Sequence, residues 1–155
     1  MPERGEKVRR QPGSAFKPFA RAAFLDEGKA MASTFSGASP IQLTSPQCKN
    51  ADGKPWEVGN FANASYGPMD ITQATLASVN TIYAQMMDVV VTPNKFIEVA
   101  ERTGIEIPAF DAGCALALGT TDVTPMEMAR AYTTFAQRGE RPDTLVVTKI
   151  ARPNG

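Results

Sequence analysis

A serine and a lysine stand three residues apart in Arg10-Gln11-Pro12-Gly13-Ser14-Ala15-Phe16-Lys17-Pro18-Phe19. On a helix, residues i and i+3 share a face, which brings the Ser14 hydroxyl within reach of the Lys17 amine. A serine alcohol is a poor nucleophile until a neighbouring base takes its proton. The chain contains no histidine, so a Ser-His-Asp arrangement is excluded. Lys17 is the candidate base. Pro12-Gly13 forces a turn just before the serine, which sets Ser14 at a helix N-terminus, where free N–H groups and the macrodipole favour developing negative charge. Phe16 and Phe19 would strip water from the neighbourhood and lower the pKa of Lys17. Taken alone, Ser-x-x-Lys has low specificity, and its plain reading is an N-cap serine with a solvated lysine.

A second pair, Ser78 and Asn80, follows 64 residues after Ser14. A hydroxyl near the lysine could pass a proton to a leaving amine, and an amide beside it could hold both the lysine and a substrate amide. Alone, Ser-x-Asn reads as a helix end turning into a loop.

These four residues need elements to carry them. Phe16, Phe19, Ala20, Ala23 and Phe24 recur at helical spacing and predict a helix over 14–26, stopped by Gly28. Residues 28–68 are rich in Ser, Gly, Pro and Asn. They read as a long irregular connection with a short strand at 41–44, anchored by Trp56, Phe61 and Tyr66. Helices are expected over 71–77 and 81–87, broken at Ser78-Val79-Asn80. Thr92-Pro93 reads as N-cap plus N1 of a helix running to Thr103, with Gly104-Ile105 as a Schellman ending. Thr124-Pro125-Met126-Glu127 combines a capping box with proline at N1. The helix behind it should bury Met128, Ala131, Tyr132 and Phe135 and close at Gly139. Residues 145–150 read as a strand, and Pro153-Asn154-Gly155 as a hairpin turn. There is no internal repeat.

The chain has 155 residues, enough for one domain with a real core. Sixteen basic and sixteen acidic side chains cancel, so no global field favours nucleic acid or an anionic membrane. No apolar run is long enough for a transmembrane helix, and no h-region follows the basic N-terminal residues. Cys48 and Cys114 could form one disulfide or remain free thiols; both readings are open. With no histidine and no Cys-x-x-Cys, neither a metal nor a cofactor is expected.

Residues 10–19, followed by Ala77-Ser78-Val79-Asn80-Thr81-Ile82-Tyr83-Ala84-Gln85, resemble the first two motifs of the penicillin-binding transpeptidases. Leu116-Ala117-Leu118-Gly119-Thr120 and residues 123–132 are similar to that family's downstream helix, and residues 142–155 to the strand after it. The Trp56 to Asn60 region and the Ser-Val-Asn-Thr surroundings look more like the class A, bifunctional type. The resemblance covers nearly the whole chain in order. It implies an α+β, β-lactamase/transpeptidase-like fold, represented here mainly by the helical lobe with a C-terminal strand. It also implies that Ser14 attacks a D-Ala-D-Ala carbonyl, with Lys17 as base, Ser78 relaying a proton to D-alanine, and Asn80 orienting Lys17 and peptide. The partners it implies are the stem peptide of peptidoglycan and β-lactams, outside the cytoplasmic membrane. Membrane attachment would come through an N-terminal anchor of a longer parent protein.

The family's third motif, Lys-Thr/Ser-Gly, does not occur in the chain, which runs 75 residues past Asn80. The strand bearing that motif normally supplies an oxyanion donor, and losing one such donor costs roughly 3 kcal/mol of transition-state stabilisation. The expectation is a partial transpeptidase domain that is weakly active or inactive alone. Within the same fold, the alternatives are a β-lactamase or a non-turnover penicillin sensor. A β-lactamase needs a deacylating carboxylate, and Glu98, Glu101 and Glu106 read more simply as solvated charges.

Overall fold

The computed structural model describes residues 8–49, 52–108, 113–145, 147 and 149–150. Pro12 and Gly13 (φ +57°) bend the chain into a 3-10 turn, Gly13–Phe16, which runs directly into helix α1, Lys17–Asp26. Pro18 lies in the first turn of α1, where a missing N–H leaves no helical bond unmade. Gly28 (φ +72°) ends the helix, as Lys29 N–H reaches back to Phe24 O. The expected helix over 14–26 is therefore present, but its first turn is 3-10.

Residues 28–68 are more ordered than their composition suggests. Strands β1 (Thr34–Ser36), β2 (Ile41–Leu43), β3 (Trp56–Val58) and β4 (Pro68–Asp70) form two antiparallel pairs, β1 with β4 and β2 with β3. Phe35 faces Met69 in one pair, and Gln42 faces Glu57 in the other. Trp56 is half-buried, yet Phe61 is 90% exposed and Tyr66 is exposed. Of the three expected anchors, Phe61 is thus not one. It opens a short turn whose next residues, Ala62 and Asn63, take positive φ, and the turn stands its ring outward.

Helices α2 (Ile71–Leu76) and α3 (Asn80–Val89) flank the Ser78 break, followed by α4 (Pro93–Thr103) and α5 (Pro125–Ala136). The local caps form as the sequence specifies. Thr92 accepts from Lys95 N–H, Gly104 is left-handed with Ile105 N–H on Ala100 O, and the Thr124/Glu127 capping box closes both ways. At the end of α5, Arg138 takes the first left-handed position and Gly139 the second.

The core lies where α1, α3, α4 and a 3-10 turn, Cys114–Leu118, meet. Phe16, Phe19, Phe24, Tyr83, Met86 and Phe96 are fully or almost fully buried there, and the Phe16 ring lies 5.4 Å from Phe19 and 5.7 Å from Phe96. Cys48 and Cys114 are joined in a disulfide. It closes a 66-residue separation, worth roughly 4 kcal/mol on the chain-entropy account.

Two further expectations need correction. Tyr132 and Phe135 are 40% and 37% exposed, not buried. Tyr132 packs edge-on and Phe135 tilted against Phe19 at the rim, and Tyr132 is held there because it donates to Ala15 O. The described residues of 145–150 form no strand, and Leu145, Val147 and Ile150 are exposed. A strand requires a ladder partner, and no described segment pairs with them. Pro153-Asn154-Gly155 lies outside the described residues.

Candidate active site

Lys17 opens α1, and its side chain turns inward, leaving the residue 3% exposed. Its Nζ donates to Ser78 O at 2.6 Å, Ser78 Oγ at 2.9 Å and Asn80 Oδ1 at 2.7 Å. Those three acceptors use all the donors of an ammonium, yet all are neutral. No carboxylate offsets the cost of burying the charge. Burial therefore lowers the Lys17 pKa from 10.5 to about 8.

The Ser78 hydroxyl donates in turn to Ser14 Oγ at 3.1 Å. Ser14, Ser78 and Lys17 thus form one hydrogen-bonded line, with the two hydroxyls exposed and the amine buried. The structure brings together all four residues singled out in the sequence. The i, i+3 spacing is not what joins Ser14 to Lys17, however. Ser14 sits on the 3-10 turn and faces outward, and Ser78 spans the gap.

Ser78 occupies a position that normally belongs to glycine. It terminates α2 in a Schellman arrangement, with Val79 N–H on Ala74 O and its own N–H on Thr75 O, and its φ is +53°. A non-glycine residue in this region carries strain of order 1 kcal/mol or more. The compensation is visible: both its carbonyl and its hydroxyl hold Lys17.

Three features were not singled out from the sequence. Gly119 (φ +72°) lies against the backbone of Gly13, and a Cβ there would meet Gly13 O at 2.2 Å and Gly13 N at 2.4 Å. The segment after it forms an isolated bridge between Val123 and Arg10, so residues 119–123 back the turn that presents Ser14. Asn80 Nδ2 donates to Gly59 O at 3.1 Å. Asn60 Oδ1 accepts from Thr81 N–H at 3.0 Å. The sequence signal for this last contact is a missing cap: α3 starts after Val79, which has no side-chain acceptor.

A cavity of about 990 Å³ lies elsewhere, lined by Arg9, Glu101, Glu106, Asp122, Arg130 and Arg141 among others. Its charges balance, and none of the four site residues lines it. Among the described residues, no cluster of His, Cys, Asp or Glu could hold a metal ion, and no helix is long and apolar enough to cross a membrane. Glu98 and Glu101 are exposed on α4, and Glu106 is exposed just beyond it.

A family model described as the penicillin binding protein transpeptidase domain matches residues 7–152. The chain belongs to that family. A curated relative, penicillin-binding protein 1A of Neisseria cinerea, is 34% identical over 98% of this chain and 18% of its own length. The crystal structure of penicillin-binding protein 1A from Haemophilus influenzae superposes with a TM-score of 0.73 at 32% identity, covering 85% of this chain and 19% of that one. The penicillin-binding protein PonA1 of Mycobacterium tuberculosis, in complex with penicillin V, matches with a TM-score of 0.67 at 26% identity, over 84% of this chain and 35% of its own. The chain therefore spans about a fifth of the length of the curated relatives it matches. Its fold is the α+β fold of those transpeptidase domains, and the class A resemblance read from Trp56 to Asn60 agrees with the protein 1A relatives.

Proposed function

We propose that this chain carries the serine chemistry of a peptidoglycan D,D-transpeptidase, with Ser14 as nucleophile. The observation that carries the proposal is the line Ser14–Ser78–Lys17, ending in an amine whose pKa is lowered to about 8. Neutral Lys17 takes a proton from the Ser78 hydroxyl while Ser78 takes the Ser14 proton, and Ser14 Oγ attacks the carbonyl between two D-alanines. The tetrahedral adduct collapses to an ester on Ser14. The departing D-alanine nitrogen receives a proton from Ser78, which Lys17 replaces. An amine of a second stem peptide then attacks the ester, completes the cross-link and frees Ser14. Asn80 holds Lys17 throughout.

A β-lactam would acylate Ser14 by the same route, its strained amide standing in for the terminal dipeptide. The disulfide supports an oxidising location, on the outer side of the bacterial membrane. As Lys-Thr/Ser-Gly is absent from the sequence, residues 1–155 act as part of the transpeptidase domain, and the chain alone reacts slowly. A β-lactamase is not favoured, because Glu98, Glu101 and Glu106, read as solvated charges, are exposed on and after α4.

The test is labelling with a fluorescent penicillin, with the acylated peptide located by mass spectrometry. Slow labelling on Ser14, abolished in Ser14→Ala, is expected. Labelling of equal extent in Ser14→Ala would contradict the proposal.

A further inference from the structure

Helix α3 begins with a residue that the site requires and lacks a cap of its own. Asn80 is its first residue, and the N-cap, Val79, is buried and offers no side-chain acceptor. An uncapped helix start leaves backbone N–H groups without an acceptor and weakens the helix. Asn60 supplies the acceptor from elsewhere in the chain, its Oδ1 taking Thr81 N–H at 3.0 Å.

The same residue is tied down on every other polar atom. Asn60 Nδ2 donates to Ala64 O at 2.9 Å and to Gly37 O at 3.3 Å, and its backbone N–H donates to Ser39 Oγ at 2.9 Å. One buried amide thus joins the start of α3, the residue following β1 and the turn at 61–63. The residue before it, Gly59, presents the carbonyl that Asn80 Nδ2 donates to. An amide group has one acceptor end and one donor end. With Nδ2 committed to Gly59 O, Oδ1 must face Lys17. Were the amide to turn over, an NH2 would face the ammonium and Lys17 would lose an acceptor.

We infer that Asn60 is a positioning residue: it caps α3 in trans and fixes Gly59 O, and so sets which end of the Asn80 amide meets Lys17. The inference rests on the assignment of Lys17 and Asn80 to the reactive site, but its test does not depend on acylation. The readout is hydrogen exchange of the Asn80 side-chain amide, followed by ¹⁵N–¹H NMR and assigned with Asn80→Asp. Asn60→Ala should speed that exchange about tenfold, the change expected when a hydrogen bond of ordinary strength is lost. Should Asn60→Ala fail to fold, Ser39→Ala removes a single bond to Asn60 and should move the exchange in the same direction by less. A lowered Tm with Asn80 exchange unchanged would overturn the inference, because a merely structural asparagine would give that result. Unchanged exchange in folded Ser39→Ala and Asn60→Ala together would overturn it as well. Inert Ser14 would leave these outcomes readable, which separates this test from that of the proposed chemistry.

Discussion

The two ends of α1 place lysines in opposite surroundings. At its start, Lys17 is buried among three neutral oxygens. At its end, Asp26 accepts from Lys95 of α4 at 2.7 Å, with Glu98 at 3.2 Å and Glu27 at 3.9 Å. The hydrogen bonds that Lys95 donates to Asp26 and then Glu98 raise its pKa above the ordinary value, whereas burial pulls Lys17 down to about 8. The helix dipole acts in the same sense at the Lys17 end, since a cation is disfavoured at a helix N-terminus. A lysine surrounded by carboxylates is a fixed charge. A lysine buried among amide and hydroxyl oxygens can give up its proton near neutral pH and accept one from a serine.

The largest expected effect comes from breaking the Lys17 end. Lys17→Met keeps the side-chain volume and should slow acylation by fluorescent penicillin by roughly 10²- to 10⁴-fold, the range of a general base. Next comes the turn that carries Ser14. Gly119→Ala would force Gly13 away by a large part of an ångström or more, and a misplacement of that size costs about 10²-fold. The measurement is the acylation rate beside the Tm, with the rate expected to fall far more than stability. At the other end of α1, Lys95→Met should leave the acylation rate unchanged and lower Tm slightly, by an amount that shrinks in high salt.

Stability against pH sharpens the same contrast. Between about 8 and 10.5 the unfolded chain holds a proton that folded Lys17 has released, so the Lys17 contribution to stability grows with pH across that window. Lys95 runs the other way, because its folded pKa is raised. Its contribution is present below the ordinary lysine value and is lost as pH climbs through the raised one. Between pH 8 and 10.5, Lys17→Met should remove the rise of Tm with pH that Lys17 contributes, whereas Lys95→Met should leave the slope in that window unchanged, because its contribution is lost only above the ordinary lysine value.

What could be read from the sequence follows the range of the physics involved. Thr92-Pro93, Gly104-Ile105 and Thr124 with Glu127 are caps made within a few residues, and each formed where its chemistry placed it. Ser14, Lys17, Ser78 and Asn80 were legible because a nucleophile without histidine leaves few bases, and motif order tied the distant pair to the first. Contacts that depend on how distant segments approach were not legible. Nothing local indicates that Gly119 meets Gly13, that Asn60 caps Thr81, or that Cys48 reaches Cys114. Phe61 and Tyr132 show the limit of reading apolar residues as buried, since a turn or a rim position leaves a large ring in water. The 145–150 segment shows the same limit for strands: β-branched content expresses a preference, and pairing decides.

The central claim is that burial, with no carboxylate partner, lowers Lys17 to where it can act as a base. It is tested most directly by ¹³C NMR titration of the lysine ε-carbons, with Lys17 and Lys95 assigned through Lys17→Met and Lys95→Met. A Lys17 midpoint near 8, with Lys95 titrating above the ordinary lysine value, is the predicted result. Lys17 titrating alongside the exposed lysines would contradict the account.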